Sequence, residues 1–146
     1  MPAETAQPHK DHKAVPKPTP ETKPFWDACA EGELRLQYCT ACEGHYFPPR
    51  FFCPTCLSRD VEWRAVSGRG RLYSYVINQS FAPPGWETPY AIALVELEEG
   101  PRLMSNILDV PQTPEALVLD MELEVTFEVR GGVAIPQFRP VAGGAA

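Results

Sequence analysis

Two pairs of cysteines constrain this chain more than any other feature of its sequence. The pairs are Cys39-x2-Cys42 and Cys53-x2-Cys56, and ten residues separate them. Each pair forms a tight turn, or knuckle, that points both thiolates the same way, so a hairpin between the pairs brings four sulfur ligands around one ion. The sequence therefore predicts a tetrahedral metal site.

The all-sulfur ligand set favours zinc. Soft thiolates select zinc over cations that prefer oxygen, and zinc needs no redox partner. The Cys53-Pro54-Thr55-Cys56 knuckle also resembles rubredoxin, which keeps iron as an alternative. Two disulfides are disfavoured, because nothing between Met1 and Lys10 is typical of a secretory signal. Four thiolates leave no coordination position for water or substrate, so we expect a structural rather than a catalytic metal.

Two other residues near the cysteine pairs have simpler interpretations. His45 lies between the pairs, and with four thiolates available we expect it to pack or form hydrogen bonds rather than bind the metal. Cys29 lies in an apolar stretch with no histidine near it in sequence to activate a nucleophile. Burial in the core is therefore favoured over catalysis for this cysteine.

The chain divides into three segments. Residues 1–22 are rich in proline and lysine and have little to bury, which predicts a disordered or docking tail. Residues 23–66 hold an entry helix, capped by Thr22 and ending near Gly32, and the metal ribbon. Residues 67–146 form a second module.

The second module is predicted to be a small barrel. Residues 121–130 alternate apolar and polar side chains, as a strand with one buried face does, and a similar alternation of Leu34, Leu36 and Tyr38 leads into the first knuckle. The segment before residue 121 has room for a helical turn at 114–119. The five strands of the module are predicted at 71–79, 90–98, 102–110, 121–130 and 133–139. This layout predicts a mainly β fold with an N-terminal helix, a rubredoxin-like zinc ribbon and a five-stranded OB-fold barrel.

The chain has a formal net charge of -6, and its charged residues are distributed unevenly. Residues 34–80 carry six arginines against three acids, whereas residues 81–146 carry three arginines against ten acids. A net acidic chain is a poor general nucleic-acid binder, because phosphate neutralisation supplies most of that affinity. The basic part is either solvated surface or a patch that holds a few phosphates. Its members are Arg50, Arg59, Arg64, Arg69 and Arg71.

Features of a stand-alone catalyst or a membrane protein are missing from the sequence. It has no Ser-His-Asp order, no glycine-rich phosphate loop and no paired carboxylates in an apolar setting, and His9 and His12 lie in the N-terminal segment. No apolar run approaches membrane-spanning length. We expect a soluble, cytoplasmic and non-catalytic protein.

Exposed aromatic residues are expected at two places. The loop at 80–89 carries Phe81 and Trp86, and such loops commonly border the ligand groove of an OB fold. Five further aromatics are more than a short helix and a ribbon can bury, which predicts a partner interface. They are Phe25, Trp26, Phe47, Phe51 and Phe52.

Over residues 24–140 the chain resembles a known family, the zinc-ribbon/OB-fold proteins of acyl-CoA metabolism called domain of unknown function 35. The resemblance departs at Asp120, where a glycine is usual, and in the proline-rich tail. It rests on Pro24-Phe25-Trp26, on Leu36 to Cys42, on Phe47-Pro-Pro-Arg50, on Cys53 to Cys56, on Gly68-Arg-Gly70 and on Pro89-Tyr90.

The resemblance implies a zinc-stabilised accessory subunit of a thiolase-fold enzyme, in a complex of two enzyme and two accessory chains. The ribbon and helix would dock on the partner, and the barrel would border its acyl-CoA channel. The implied reaction is retro-aldol cleavage of a steroid side-chain acyl-CoA thioester, or acyl transfer in a thiolase complex. The alternatives are a nucleic-acid-binding module and a rubredoxin-like electron carrier. Cations for the CoA phosphates would come from Arg50, Arg59, Arg69 and Arg71.

Overall fold

The fold is mainly β, as predicted, in a computed structural model that describes residues 13–142. One helix precedes two antiparallel sheets, and no helix in this range is long and apolar enough to cross a membrane. The ribbon contains α1 (Lys23–Ala30), β1 (Arg35–Cys39), β2 (Gly44–Tyr46) and β3 (Val61–Ala65). The barrel contains β4 (Arg69–Asn78), β5 (Tyr90–Leu97), β6 (Arg102–Ser105), β7 (Glu122–Arg130) and β8 (Val133–Pro140).

Helix α1 lies where the sequence placed it, but its N-cap differs from the prediction. Thr22 occupies the cap position without a side-chain bond to the helix. Its Oγ1 instead accepts a hydrogen bond from the backbone N–H of Thr19 at 2.9 Å, so a turn precedes the helix. The helix ends as expected, with Gly32 at a φ of 76° and its N–H donating to the carbonyl of Cys29.

The proline-rich segment is better defined than expected over the part that the structure describes. Residues 1–12 lie outside the described range. Within residues 13–22, two side chains contact the barrel, and the first is Lys13, whose Nζ lies 3.3 Å from Glu128 Oε1. Val15 packs so closely beside Gly131 that a Cβ on that glycine would lie 2.9 Å from it. Composition predicted a tail here because long-range contacts of single side chains leave no sequence pattern.

The ribbon sheet has the strand order β2-β1-β3. Strand β3, which the sequence did not predict, pairs with all of β1. Leu36 faces the core, as predicted, whereas its neighbour Gln37 is also buried, at 6% exposure. The Gln37 Oε1 accepts a hydrogen bond from the backbone N–H of Arg50 at 2.6 Å, so the loop that leads to the second knuckle covers this face.

The barrel sheet has the order β6-β5-β4-β7-β8. An isolated parallel bridge between Ile107 and Phe138 closes it, and the Ser105 hydroxyl donates to the carbonyl of Pro136 at 3.0 Å. This order and closure correspond to an OB fold. Four strands agree with the prediction, but the third ends at Ser105 instead of residue 110. The helical turn expected at 114–119 is a simple turn.

One continuous core joins the ribbon to the barrel. Phe25, Cys29 and Leu36 belong to the same buried cluster as Leu72 and Phe138 of the barrel. Cys29 is 1% exposed, which confirms its predicted packing role. Burial raises the pKa of the Cys29 thiol to about 12, so this cysteine stays protonated and unreactive at neutral pH.

Asp120 preserves the turn that a glycine usually makes in the family it resembles. Its φ of 67° lies in the left-handed region, which aspartate tolerates better than most residues. Its N–H donates to the carbonyl of Leu72 at 2.8 Å. The substitution therefore keeps the backbone conformation that leads into β7.

Replacing Gly70 by alanine is expected to destabilise the barrel. The new Cβ would lie 2.5 Å from the backbone oxygen of Glu96, and backbone cannot move away as a flexible side chain can. We expect a loss of about 1–3 kcal/mol in the free energy of unfolding, measured by urea denaturation of the metal-loaded protein. Gly44→Ala is the control, since a Cβ there meets nothing within 4 Å. Equal stability of the two variants would contradict this explanation.

Candidate metal centre and adjoining surfaces

The four cysteines of the two pairs converge on one point, as predicted. All four Sγ atoms lie within 4.8 Å of one another. The Sγ–Sγ distances are 3.6 Å for Cys39–Cys56, 3.5 Å for Cys39–Cys42 and 3.4 Å for Cys42–Cys53. A tetrahedral zinc ion with Zn–S bonds of about 2.3 Å separates its sulfurs by about 3.8 Å, so the spacing fits zinc. A disulfide needs about 2.05 Å, which these pairs do not approach.

Both knuckles have the same backbone geometry. A residue with positive φ follows the second cysteine of each pair: Glu43 at 58° and Leu57 at 63°. The N–H of Glu43 donates to the Cys39 carbonyl at 2.8 Å, and the N–H of Leu57 donates to the Cys53 carbonyl at 2.9 Å. Each turn therefore closes over one cysteine and directs both thiols of its pair into the cluster.

Backbone amides favour the thiolate form in this cluster. The N–H groups of Cys42 and Thr55 each point at a cysteine sulfur, at 3.4 Å in both cases. The pKa of Cys53 falls to about 6, mainly because the backbone N–H of Cys56 donates to its sulfur. The pKa of Cys42 is raised instead, because it shares hydrogen bonds with the other three sulfurs. A divalent cation at the centre would supply the positive charge that four adjacent thiolates require.

His45 lies outside the cluster, as predicted. Its ring packs edge-on against Tyr38 with the centroids 4.9 Å apart. Burial lowers the pKa of His45, which keeps the imidazole neutral at physiological pH. Among the described residues, only the four cysteines group their ligand atoms at this point, and four thiolates suffice to fill a tetrahedral zinc site.

The arginines that the sequence singled out are divided between two surfaces. Arg50 and Arg59 are exposed on the ribbon loops. Arg69 and Arg71 are exposed on β4, where their cross-strand neighbours are acidic: Glu124 faces Arg69, and Glu122 and Glu96 face Arg71. The fifth, Arg64, lies over the Tyr38 ring at 3.6 Å. Two of these acids are paired with other arginines of the barrel, Glu96 with Arg102 at 2.8 Å and Glu124 with Arg139 at 3.1 Å.

The aromatic residues proposed for an interface differ in exposure. Phe25 is only 4% exposed and belongs to the core, so it offers no free surface. Trp26 and Phe47 flank it, with ring centroids 5.0 and 5.5 Å away, and are half-buried. Phe51 and Phe52 are exposed at 67% and 43% near the second knuckle.

Trp26 and Phe47 line an apolar groove of about 280 Å³. Trp26, Phe47 and Pro48 form its ribbon side, while Met104 and Pro136 belong to the barrel side. Met104 is 73% exposed although it lies in a strand. Sequence reasoning missed it because the outward face of a strand is normally polar.

The loop between β4 and β5 carries both aromatics that the sequence assigned to it. Phe81 is 73% exposed. Trp86 stacks on Tyr90 with the ring centroids 4.7 Å apart and lines a hollow of about 410 Å³. Lys13 lies over the Trp86 ring at 4.2 Å, a contact that the sequence did not reveal.

Two family models match adjoining parts of the chain. The first is described as the rubredoxin-like zinc ribbon domain of ChsH2 and matches residues 26–62. The second is the C-terminal OB-fold domain of ChsH2 and matches residues 63–128. The two matches adjoin at residues 62 and 63.

Curated relatives carry several names. A probable enoyl-CoA hydratase alpha subunit of Thermomonospora curvata is 34% identical in an alignment of 144 residues that covers 95% of this chain and 44% of that protein. This chain thus spans less than half of that relative. A DUF35 domain-containing scaffold protein of Pyrococcus furiosus is 43% identical, over 61% of this chain and 67% of that protein. The benzoylsuccinyl-CoA thiolase subunit BbsA of Thauera aromatica is 30% identical, over 76% and 82% respectively.

Two solved structures share the fold. A chain of the structure titled "Ltp2-ChsH2(DUF35) aldolase" has a TM-score of 0.77 and 31% identity, covering 86% of this chain and 98% of that one. A DUF35 protein of Sulfolobus solfataricus has a TM-score of 0.61 at 13% identity, over 84% and 86% of the two chains. At that identity the second likeness shows the fold alone.

Serine substitutions at Cys39 or Cys56 are expected to abolish stoichiometric zinc and unfold the ribbon. Each removes one of four thiolates, and ligand binding is part of the folding free energy of so small a module. The zinc content of the purified protein, measured by elemental analysis, should fall from about one zinc per chain to well below that. Cys29→Ala is the control and should retain its zinc, since Cys29 lies outside the cluster. Folded protein with no metal, or with coloured iron, would contradict the zinc assignment.

Proposed function

The chain belongs to the DUF35 family of zinc-ribbon/OB-fold proteins, and from this we propose that it is a non-catalytic accessory subunit of a thiolase-fold acyl-CoA enzyme. The observation that carries the proposal is the exposed apolar tip of the ribbon beside a metal site with no open position. Phe51, Phe52 and Leu57 form this ribbon tip, at 67%, 43% and 70% exposure. Large exposed apolar clusters typically mark interaction sites.

The reactive groups of the described residues support a role without catalysis. The four thiols of the cluster are committed to the metal, and Cys29 is buried and protonated. His45 is packed against Tyr38. The relatives named above include a hydratase alpha subunit, a scaffold protein and a thiolase subunit, all names of components of larger assemblies. We infer that the chemistry belongs to a partner.

The partner would contact the ribbon tip and the apolar groove next to it. Aromatic residues and methionine supply much of the binding energy at such interfaces. Trp26, Phe47 and Met104 offer such side chains in the groove. Phe25, which is buried, would support this interface by packing against the rings of Trp26 and Phe47. We propose a complex of two enzyme and two accessory chains, since thiolase-fold enzymes resemble obligate dimers.

The barrel is proposed to border the acyl-CoA channel of the partner. Arg50 and Arg59 on the ribbon are better candidates for the CoA phosphates than Arg69 and Arg71, whose neighbours on the barrel are acidic. Phe81, at 73% exposure in the β4–β5 loop, is a candidate for contact with the ligand. Trp86 is a weaker candidate, because Tyr90 and Lys13 already cover it.

We propose retro-aldol cleavage of an acyl-CoA thioester, with a steroid side chain as the acyl group, for the reaction of the complex. The similarity to a chain of an aldolase structure supports this choice. Acyl transfer is the alternative, favoured by the similarity to a thiolase subunit. The acidic barrel disfavours a nucleic-acid-binding module. A four-thiolate zinc site needs reduced cysteines, which supports a cytoplasmic location.

Co-expression with the cognate thiolase-fold enzyme is expected to yield a complex that turns over acyl-CoA, while this chain alone does not. Phe51→Ala and Trp26→Ala should weaken the association about tenfold each, because truncation of buried interface aromatics costs more than about 1 kcal/mol. Calorimetry and size-exclusion chromatography measure the effect. Leu119→Ala is a control, as an exposed apolar residue remote in sequence from the ribbon. Unaided turnover by this chain would overturn the proposal.

Alanine substitution of Arg50 or Arg59 is expected to lower the acyl-CoA affinity of the complex about fivefold at low salt. The loss should be smaller at high salt, because salt screens the attraction between arginine and phosphate. Arg69→Ala and Arg71→Ala serve as matched controls, because both remove an exposed arginine from strand β4 of the barrel instead of from the ribbon loops. Calorimetry of the intact complex at two salt concentrations measures the affinity. Identical affinities for all four variants would show that the ribbon arginines are solvated surface.

A further inference from the structure

A lysine of the N-terminal segment occupies a defined site on the barrel. Lys13 Nζ lies 3.3 and 3.4 Å from the two carboxylate oxygens of Glu128. The same ammonium lies 4.2 Å from the centroid of the Trp86 ring. An ion pair and a cation–π contact therefore act on one group, and each is stronger where water is partly excluded.

The site is built from residues that support one another. Arg130 Nε donates to Glu128 Oε1 at 2.7 Å, which orients the carboxylate. The Arg130 guanidinium also lies 5.1 Å from the centroid of the Trp86 ring, and the Tyr90 ring stacks on Trp86 with the centroids 4.7 Å apart. Lys13, Glu128 and Arg130 have side-chain exposures of 25%, 29% and 13%, so the charges are mostly shielded from water.

Trp86 belongs to the loop at 79–89, and its contacts hold that loop on the barrel. At the beginning of the loop, the Asn78 amide donates to the Phe81 carbonyl at 2.6 Å. Beyond that point, Trp86 is held by its stack on Tyr90 and by Lys13. Val15 fixes the N-terminal segment two residues after Lys13, through its close contact with Gly131.

Lys13 also borders two hollows on the barrel surface. One, of about 570 Å³, includes Val15 and Val129 in its lining, and the other, of about 410 Å³, includes Tyr90. Lys13 and Gly85 line both of them.

We propose that Trp86 and Glu128 form a receptacle for a primary ammonium group, and that Lys13 of the same chain occupies it. Residues 13–22 then act as a strap that holds the loop at 79–89 against the end of the barrel. When Lys13 leaves, Glu128 keeps its ion pair with Arg130. No shielded charge is left unpaired, so the strap can open without unfolding the barrel.

Lys13→Met tests the strap on the zinc-loaded full chain. Methionine keeps an unbranched apolar side chain but removes the charge. The amides of the loop at 79–89 should exchange with deuterium about fivefold faster than in the unmodified chain, the factor expected when a contact of this strength is lost. Lys17→Met is the matched control, an exposed lysine of the same segment. It should leave the loop unchanged.

A second measurement reports on the receptacle directly. The side-chain methylene protons of Lys13 should show an upfield NMR shift from the ring current of Trp86, and Trp86→Leu should remove that shift. The proposal is overturned if the shift is absent from the unmodified chain, or if Lys13→Met leaves loop exchange unchanged. It is also overturned if Lys17→Met accelerates exchange as much, or if exchange rises equally in all barrel strands. Neither measurement involves a partner, so failure here leaves the accessory-subunit proposal untouched.

Discussion

The convergence of four cysteine thiols is the constraint on which the ribbon depends. Its strands β1, β2 and β3 have only five, three and five residues, too few to bury a core of their own. In the loop from residue 47 to 60, Phe47 packs on Phe25, and the Arg50 backbone is bonded to Gln37 and to the Tyr46 hydroxyl. The exposed residues Phe51, Phe52 and Leu57 lie next to the cysteines of the second knuckle. A metal held by the four sulfurs therefore sets the position of the ribbon tip, the surface that we propose for partner binding.

The rest of the ribbon is fixed by the barrel, because both modules share one core. Phe25 and Leu36 reach from the helix and β1 into the same cluster as Leu72. This shared burial gives the helix a fixed position, which a single eight-residue helix would not have in water. It also places Trp26 and Met104 in the lining of one apolar groove, although these two residues lie far apart in sequence.

Basic residues of the same type have different surroundings in the folded chain. Arg69 and Arg71 face acids across the sheet, whereas Arg50 and Arg59 lie on the ribbon. Lys13 lies over an indole ring with a carboxylate beside it. The net charge of the chain predicts none of these differences, because each depends on pairing between strands or on contacts between distant segments.

The sequence by itself determined the cluster of four cysteines, the helix, four of the five barrel strands and the fold class, because short-range spacing and period-two alternation encode them. Only the tertiary structure decided which aromatics are free: Phe25 is buried, while Phe51 and Met104 are exposed. It also decided that β3 completes the ribbon and that Lys13 lies on the barrel. The physical reason is that burial and ion pairing join residues distant in sequence, and a local pattern carries no record of which distant surface will cover a given side chain.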